Sequence, residues 1–280
     1  MRTKILITVV TYPLPSRSYD ELVCTAGVRE DGSWIRIYPV RFQFLTEAKA
    51  TGGFESYKYT WIELDLKKRT DDFRPESHSP VNYDFSDLKV LGKISTKNDS
   101  EWSKRREYCL KNVYTDLKEL IEASKAPYNK SLASFKPQKI TEFIWEEDDR
   151  EWKPEWKEQL KQLSFDFGGN YGQTKKELIR KLPYKFYYRF TDEKGKSSKL
   201  MIEDWEIGQL YWNCLKKTGG NELEALQLVE KKYWTEFVEG GKDIYLFLGT
   251  TLQWHKRRAK NPFVIIGVFY PKPQNQLRLF

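Results

Sequence analysis

The twenty residues ELVCTAGVREDGSWIRIYPV, from Glu21 to Val40, decide the fold. Two runs rich in β-forming residues, Glu21 to Val28 and Ser33 to Val40, flank Arg29-Glu30-Asp31-Gly32, and an Asp-Gly pair supplies the positive-φ positions of a tight hairpin. In the second arm a period of two puts Trp34, Arg36, Tyr38 and Val40 on one face and Ile35, Ile37 and Pro39 on the other. The hairpin therefore opposes an aliphatic face to an aromatic and basic one.

The flanking sequence continues this pattern. Lys4 to Val10 reads as a buried strand, broken by Tyr12-Pro13-Leu14-Pro15, and Tyr57 to Leu66 sets Trp61, Glu63 and Asp65 opposite Ile62, Leu64 and Leu66. Residues 1–95 are expected to form an antiparallel β domain or barrel. From Asn98 the period becomes helical, through Trp102, Cys109, Val113, Leu117, Leu120 and Ile121 to about Ala123. A second stripe, Trp152, Trp156, Leu160 and Leu163, extends a helical middle over residues 96–164. Residues 165–280 begin with a glycine-dense stretch that lacks the order of a Walker or dinucleotide loop. A hairpin around Thr191 to Lys196, helices Trp205 to Lys217 and Glu222 to Val238, and strands Asp243 to Gly249 and Pro262 to Tyr270 complete a β-α-α-β portion. The expected class is α+β, with a small barrel of PUA-like or OB-like kind.

Composition narrows the function. With 39% apolar and 15% aromatic residues in 280, the chain can build a core. No run approaches the ~18 apolar residues of a membrane span, and the start lacks a signal peptide pattern, so no membrane role and a cytoplasmic location are expected. Three scattered cysteines and two histidines, without Cys-x-x-Cys, point to neither a disulfide framework nor a zinc site. No metal or other cofactor is expected. Lys+Arg 48 against Asp+Glu 40 gives +8, and the basic clusters Lys104-Arg105-Arg106 and Lys256-Arg257-Arg258 are segregated from the acidic run Glu146 to Glu151. Such a field favours a polyanion, with nucleic acid, DNA ahead of RNA, as the expected partner.

Three groups of residues could carry chemistry. In the loop after the first strand, Ser16 and Arg17 suit a phosphate, Tyr12 and Tyr19 suit base stacking, and Asp20 adds a carboxylate. At Ile202-Glu203-Asp204-Trp205, Asp204 is a natural helix cap, and Asp204 or Glu203, with Asp20, would be the acids of a metal-independent glycosylase or hydrolase. In Trp254-His255-Lys256-Arg257-Arg258, cations interleave with an aromatic ring as strand-tracking loops require, and Trp34 and Arg36 extend that chemistry to the first hairpin. The leading expectation is a protein that binds nucleic acid and reads or acts on an unstacked or modified base. Two alternatives stand beside it. Glu63, Asp65 and Lys67 on one strand could form a Mg²⁺-dependent nuclease, and the Trp152/Trp156 stripe with the acidic run could serve a protein partner of unknown kind.

Tyr184 to Phe190 followed by Leu200 to Glu206 resembles a stretch of uncharacterised bacterial proteins, some of which carry cysteines and a histidine in the intervening hairpin. Thr191 to Lys199 contains neither residue. The resemblance implies a prokaryotic source and no particular activity.

Overall fold

The computed structural model describes residues 1–11, 22–41, 58–154 and 180–274. β1 (Arg2–Val10), β2 (Leu22–Val28), β3 (Trp34–Arg41), β4 (Thr60–Lys68) and β5 (Ser77–Pro80) follow the order β1-β2-β3-β5-β4, and β4 pairs back onto β1, closing a five-stranded barrel. Only the β3–β5 pair is parallel. The expected hairpin joins β2 to β3: Gly32 sits at φ +82°, and the Asp31 carboxylate accepts from the Ser33 amide at 2.8 Å. Ile5, Ile7, Ile35, Ile37, Ile62 and Leu64 fill the barrel, as the alternation requires. Val40 joins them instead of following Arg36 outward, and the β2–β3 register shifts between Val23 and Thr25, as a bulge would produce. β6 (Lys89–Lys93) adds to the outer edge of β4. His78 lies half-buried in β5.

A second sheet runs β7-β8-β12-β13-β11-β10-β9, formed by β7 (Val113–Tyr114), β8 (Leu132–Phe135), β9 (Lys139–Glu147), β10 (Tyr184–Thr191), β11 (Ser197–Ile202), β12 (Tyr245–Thr250) and β13 (Phe263–Phe269). The middle of the chain is less helical than expected. Instead of one helix to Ala123 there are two short ones, α1 (Ser103–Cys109) and α2 (Leu117–Ala123), with β7 between them. β-branched Val113 and aromatic Tyr114 favour strand and pair with β8, while the Asp116 carboxylate caps α2 by accepting from Lys118 N at 2.7 Å. The second tryptophan stripe falls largely outside the described residues.

One face of the second sheet is covered by α3 (Trp205–Lys217), α4 (Glu222–Glu230) and a π-helical continuation (Lys231–Glu239). Tyr188, Phe186, Tyr211, Leu226 and Ile265 lie in that core. The other face packs on the barrel, where Leu6, Val9 and Val28 meet Phe247, Ile266 and Phe269. The chain is thus α+β, with a closed barrel at its N-terminal end.

Polar groups cross this barrel–sheet contact. Arg36, 2% exposed, donates to Ser131 Oγ at 2.7 Å, and Glu76 accepts from the same hydroxyl at 2.7 Å. Arg74 pairs with Asp72 at 2.6 Å and donates to the Thr250 carbonyl at 2.8 Å. Burial alone would raise the Asp72 pKa, but the Arg74 guanidinium outweighs it and holds the carboxyl well below its usual range. Breaking a buried pair leaves its partner uncompensated. Asp72→Asn should therefore cost about 3–5 kcal/mol in chemical unfolding at pH 7; a loss under about 1 kcal/mol would show that Arg74 finds other compensation.

Candidate functional site

The strongest constellation lies where the barrel meets the start of α3. Asp204 closes β11 and caps α3, its Oδ1 accepting from the Glu206 amide at 3.2 Å, and its backbone bridges to Thr11 at the end of β1. The Lys58 ammonium, brought by the barrel to the start of β4, sits 3.0 Å from Asp204 Oδ2 and 2.7 Å from Glu206 Oε2. Lys58 is 5% exposed and Asp204 1%. Burial pushes the Asp204 carboxyl up to about 6, against the pull of Lys58. Burial also opposes the Lys58 charge, but the two carboxylates prevail and raise its pKa well above the usual value.

Beside this triad opens a cleft of about 220 Å³, lined by Tyr59, Lys93, Thr96, Trp102, Arg105 and Tyr270 together with Lys58 and Glu206. Two bulky residues in its wall hold left-handed backbone, Tyr59 at φ 61° and Trp102 at φ 58°. Such conformations cost about 1–3 kcal/mol each and collect at functional sites. Tyr59 is over-determined: its amide donates to the Ile7 carbonyl at 2.6 Å and its carbonyl accepts from Ile94 at 2.8 Å. The Arg105 guanidinium lies 3.8 Å from the Tyr59 ring centroid and 4.9 Å from that of Trp102, and donates twice to the Ile94 carbonyl. Arg105 is 8% exposed and pairs with no carboxylate among the described residues. Burial raises the phenols of Tyr59 and Tyr270, the latter to about 12, so both remain neutral donors at physiological pH. The cleft thus combines aromatic rings, polar groups of both charges and the exposed Lys93.

Of the candidate catalytic and binding residues, Asp204 borders this cleft through its bond to Lys58 but is buried behind the lining, which takes Trp102 from the helical stripe and Arg105 from a basic cluster. Tyr12, Ser16, Arg17, Tyr19 and Asp20 lie outside the described residues. Glu203 does not join Asp204: the alternation of β11, with Leu200 and Ile202 in the core, sends their side chains to opposite faces. Half-buried, with no ion pair among the described residues, Glu203 is pushed up to about 7 by burial. Arg36 and Trp34, expected on an outward basic and aromatic face, are turned into the barrel–sheet contact; Trp34 meets Phe247 edge-on at 5.1 Å. That face is covered because the second sheet packs on it. Glu63 and Asp65 flank Arg2 at 3.1 and 3.5 Å, so a guanidinium already occupies the place that the nuclease expectation gives to Mg²⁺.

The basic turn splits. His255 is 7% exposed; its Nε2 donates to the Ser124 carbonyl at 2.6 Å, leaving Nδ1 to accept from the Thr250 hydroxyl at 3.0 Å. Burial lowers its pKa and keeps the imidazole neutral, so it is a structural hinge for the turn. Its neighbours point the other way. From α5 (Leu252–Lys256) and the following turn, Lys256, Arg257, Arg258 and Lys260 are exposed, and Trp254 is 49% exposed.

No spacing relates Lys58, Tyr59, Trp102, Arg105, Glu206 and Tyr270, and the sequence places Trp102 only in a helical stripe and Arg105 only in a basic cluster. Glu206, two residues after the capping aspartate, carries a local signal of its own.

A carboxyl raised in the folded state keeps its proton while the unfolded chain releases it, so stability falls as pH rises from about 4.5 toward 7. Relative to Glu203→Gln, the wild type should lose about 1–2 kcal/mol across that window, allowing for solvent screening. Parallel denaturation curves would count against a raised Glu203.

Comparison with known proteins gives family without activity. No curated protein matches the sequence. A solved structure described as a murine DNA binding protein bound with ds DNA is 11% identical over 98% of each chain, at a TM-score of 0.30, a level that carries no argument. Residues 1–111 match the domain of unknown function DUF8758, and residues 113–280, more than half of the chain, match the domain of unknown function DUF8757. The protein therefore belongs to the DUF8757 family.

Proposed function

We propose that this protein binds nucleic acid and takes one unstacked base into the cleft between the barrel and α3. The observation that carries this reading is the cleft itself: Tyr59, Trp102, Arg105 and Tyr270 around Lys58 and Glu206, with Asp204 buried behind them and Lys93 exposed beside them. Pockets for drug-sized ligands start near ~300 Å³, so about 220 Å³ suits a smaller planar group. A base extruded from a helix presents two π-faces and an edge of donors and acceptors. The half-buried rings of Trp102 and Tyr270 answer the faces, while the Lys58 ammonium and the Glu206 carboxylate answer acceptors and donors on the edge. Lys93, exposed beside the cleft, suits the adjoining phosphate, while Arg105 holds the Tyr59 and Trp102 rings in place.

Net positive charge and the exposed cations around Trp254 support a polyanionic partner, and DNA is the polymer to test first. The closure β1-β2-β3-β5-β4 supports the OB-like form of the barrel over the PUA-like form. One observation favours a catalytic version. Asp204 is buried, raised to about 6 and adjacent to the cleft, the setting of a carboxylate that steadies a cationic sugar during metal-independent glycosidic cleavage.

Extrusion costs least at a mismatched base. A DNA duplex with one mismatch should therefore bind at least about fivefold tighter than its fully paired counterpart, and Glu206→Gln and Arg105→Lys should remove most of that preference. Equal affinity for both duplexes contradicts base capture. For the catalytic version, end-labelled DNA incubated in EDTA and then treated with alkali should break in the wild type and not in Asp204→Asn; intact DNA in both assigns reading without cleavage.

A further inference from the structure

The cleft is lined by Val268 and Tyr270, at the C-terminal end of β13. α5 and its basic turn feed the N-terminal end of the same strand, which begins at Phe263. At ~3.3 Å per residue the strand alone separates the two regions by about 20 Å. The turn gathers its charge more densely than the surface around it, where some cations are spread singly and others are neutralised. Lys4, Arg69, Lys125, Arg150, Arg189, Lys199 and Lys232 are each held by a carboxylate. Lys256, Arg257, Arg258 and Lys260 are exposed within five residues, and none has an ion pair among the described residues. Trp254 presents half its surface beside them, with the Arg257 guanidinium 5.7 Å from its ring centroid. Phe73, 43% exposed, packs edge-on against His255 at 4.8 Å and widens the aromatic surface. The base of the turn is fixed, because His255 is held through both ring nitrogens.

We propose that this turn is a second nucleic-acid site, a platform for the unpaired strand that flanks the captured base. The proposal rests on the cleft reading above and adds strandedness and footprint to it. A single strand is the occupant because an indole standing among unpaired cations offers a stacking surface that paired bases cannot use, while the cations track the backbone. A separation of about 20 Å corresponds to roughly six nucleotides at ~3.4 Å each. An oligonucleotide too short to span it reaches one site only, and a longer one gains the effective concentration of a linked second contact.

The test uses the full chain and fluorescein-labelled, mixed-sequence DNA single strands of 4, 8, 12, 16 and 24 nucleotides, followed by anisotropy at two salt concentrations. Affinity should rise at least about tenfold between the 4-mer and the 12-mer and then level off. The triple change Lys256→Glu, Arg257→Glu, Arg258→Glu should abolish that rise and reduce the log-affinity against log-salt slope by about 2, the value for three phosphate contacts to a single strand. Trp254→Ala should weaken the 12-mer at least about fivefold while leaving its salt slope nearly unchanged, which separates stacking from charge. A 12-mer no tighter than the 4-mer, or a triple variant with an unaltered salt slope, overturns the platform. If short strands still bind and still respond to Glu206→Gln and Arg105→Lys, that failure leaves the cleft reading standing. Binding that depends on the turn but ignores both cleft variants sinks the cleft reading instead.

Discussion

Most of this structure depends on a barrel whose outer wall is dry. Closing β1 onto β4 hides the aliphatic faces of the strands inside, but the opposite faces of β1, β2 and β3 then need a cover, and the second sheet provides it. Apolar contacts such as Val9 and Val28 against Ile266 and Phe247 supply the larger part of that stabilisation, since burial scales with the area removed from water. The wall also carries Arg36 and Arg74, which cannot enter such a contact uncompensated. Ser131, Glu76, Asp72 and the Thr250 carbonyl receive them, and each crossing of this kind fixes the sheet in one position on the barrel.

The same constraint makes the cleft. Because β1 ends in a bridge to Asp204, the first turn of α3 is tied to the rim of the barrel, and Lys58 enters between two acids of that turn. α1 then lays Trp102 and Arg105 across Tyr59 from the other side. The walls therefore come from four separate parts of the chain, the last being the end of β13, joined by the barrel–sheet contact. A change that loosens the contact would alter the cleft without touching any residue in it.

This division also explains how much could be read from the sequence. The β2–β3 hairpin, the β10–β11 hairpin and the capping role of Asp204 are local: a turn residue, a period of two, a carboxylate two residues before the amide it accepts from. Each needed only a few neighbouring residues. The direction of Arg36 was not local. Alternation places it correctly on the face opposite Ile35 and Ile37, but alternation is silent on whether that face meets water or protein. The turn at Trp254 shows the same limit within a few residues, since His255 faces inward and its cationic neighbours outward because Ser124, distant in sequence, supplies a carbonyl. The helical middle failed for another reason: Val113 matches a helical spacing, yet pairing with β8 suits it and the neighbouring Tyr114 better.

The cleft gathers arrangements that a purely structural role would avoid. A buried ammonium between carboxylates is seldom more stabilising than apolar residues of the same volume, because desolvation offsets the attraction. Tyr59 and Trp102 each add backbone strain next to it. Arg105 spends two donors on a single carbonyl and lays its guanidinium against two rings, with no carboxylate paired to it among the described residues. Glu206 keeps its side chain 43% exposed while binding Lys58, so one arm of the triad reaches into the cleft. A joint needed only to fasten α3 to the barrel would be served by the Asp204 cap and the Thr11 bridge alone. Lys58, Glu206 and Arg105 add unfavourable solvation to that joint and direct polar groups to one small opening, which is the arrangement expected where a ligand completes the set of partners.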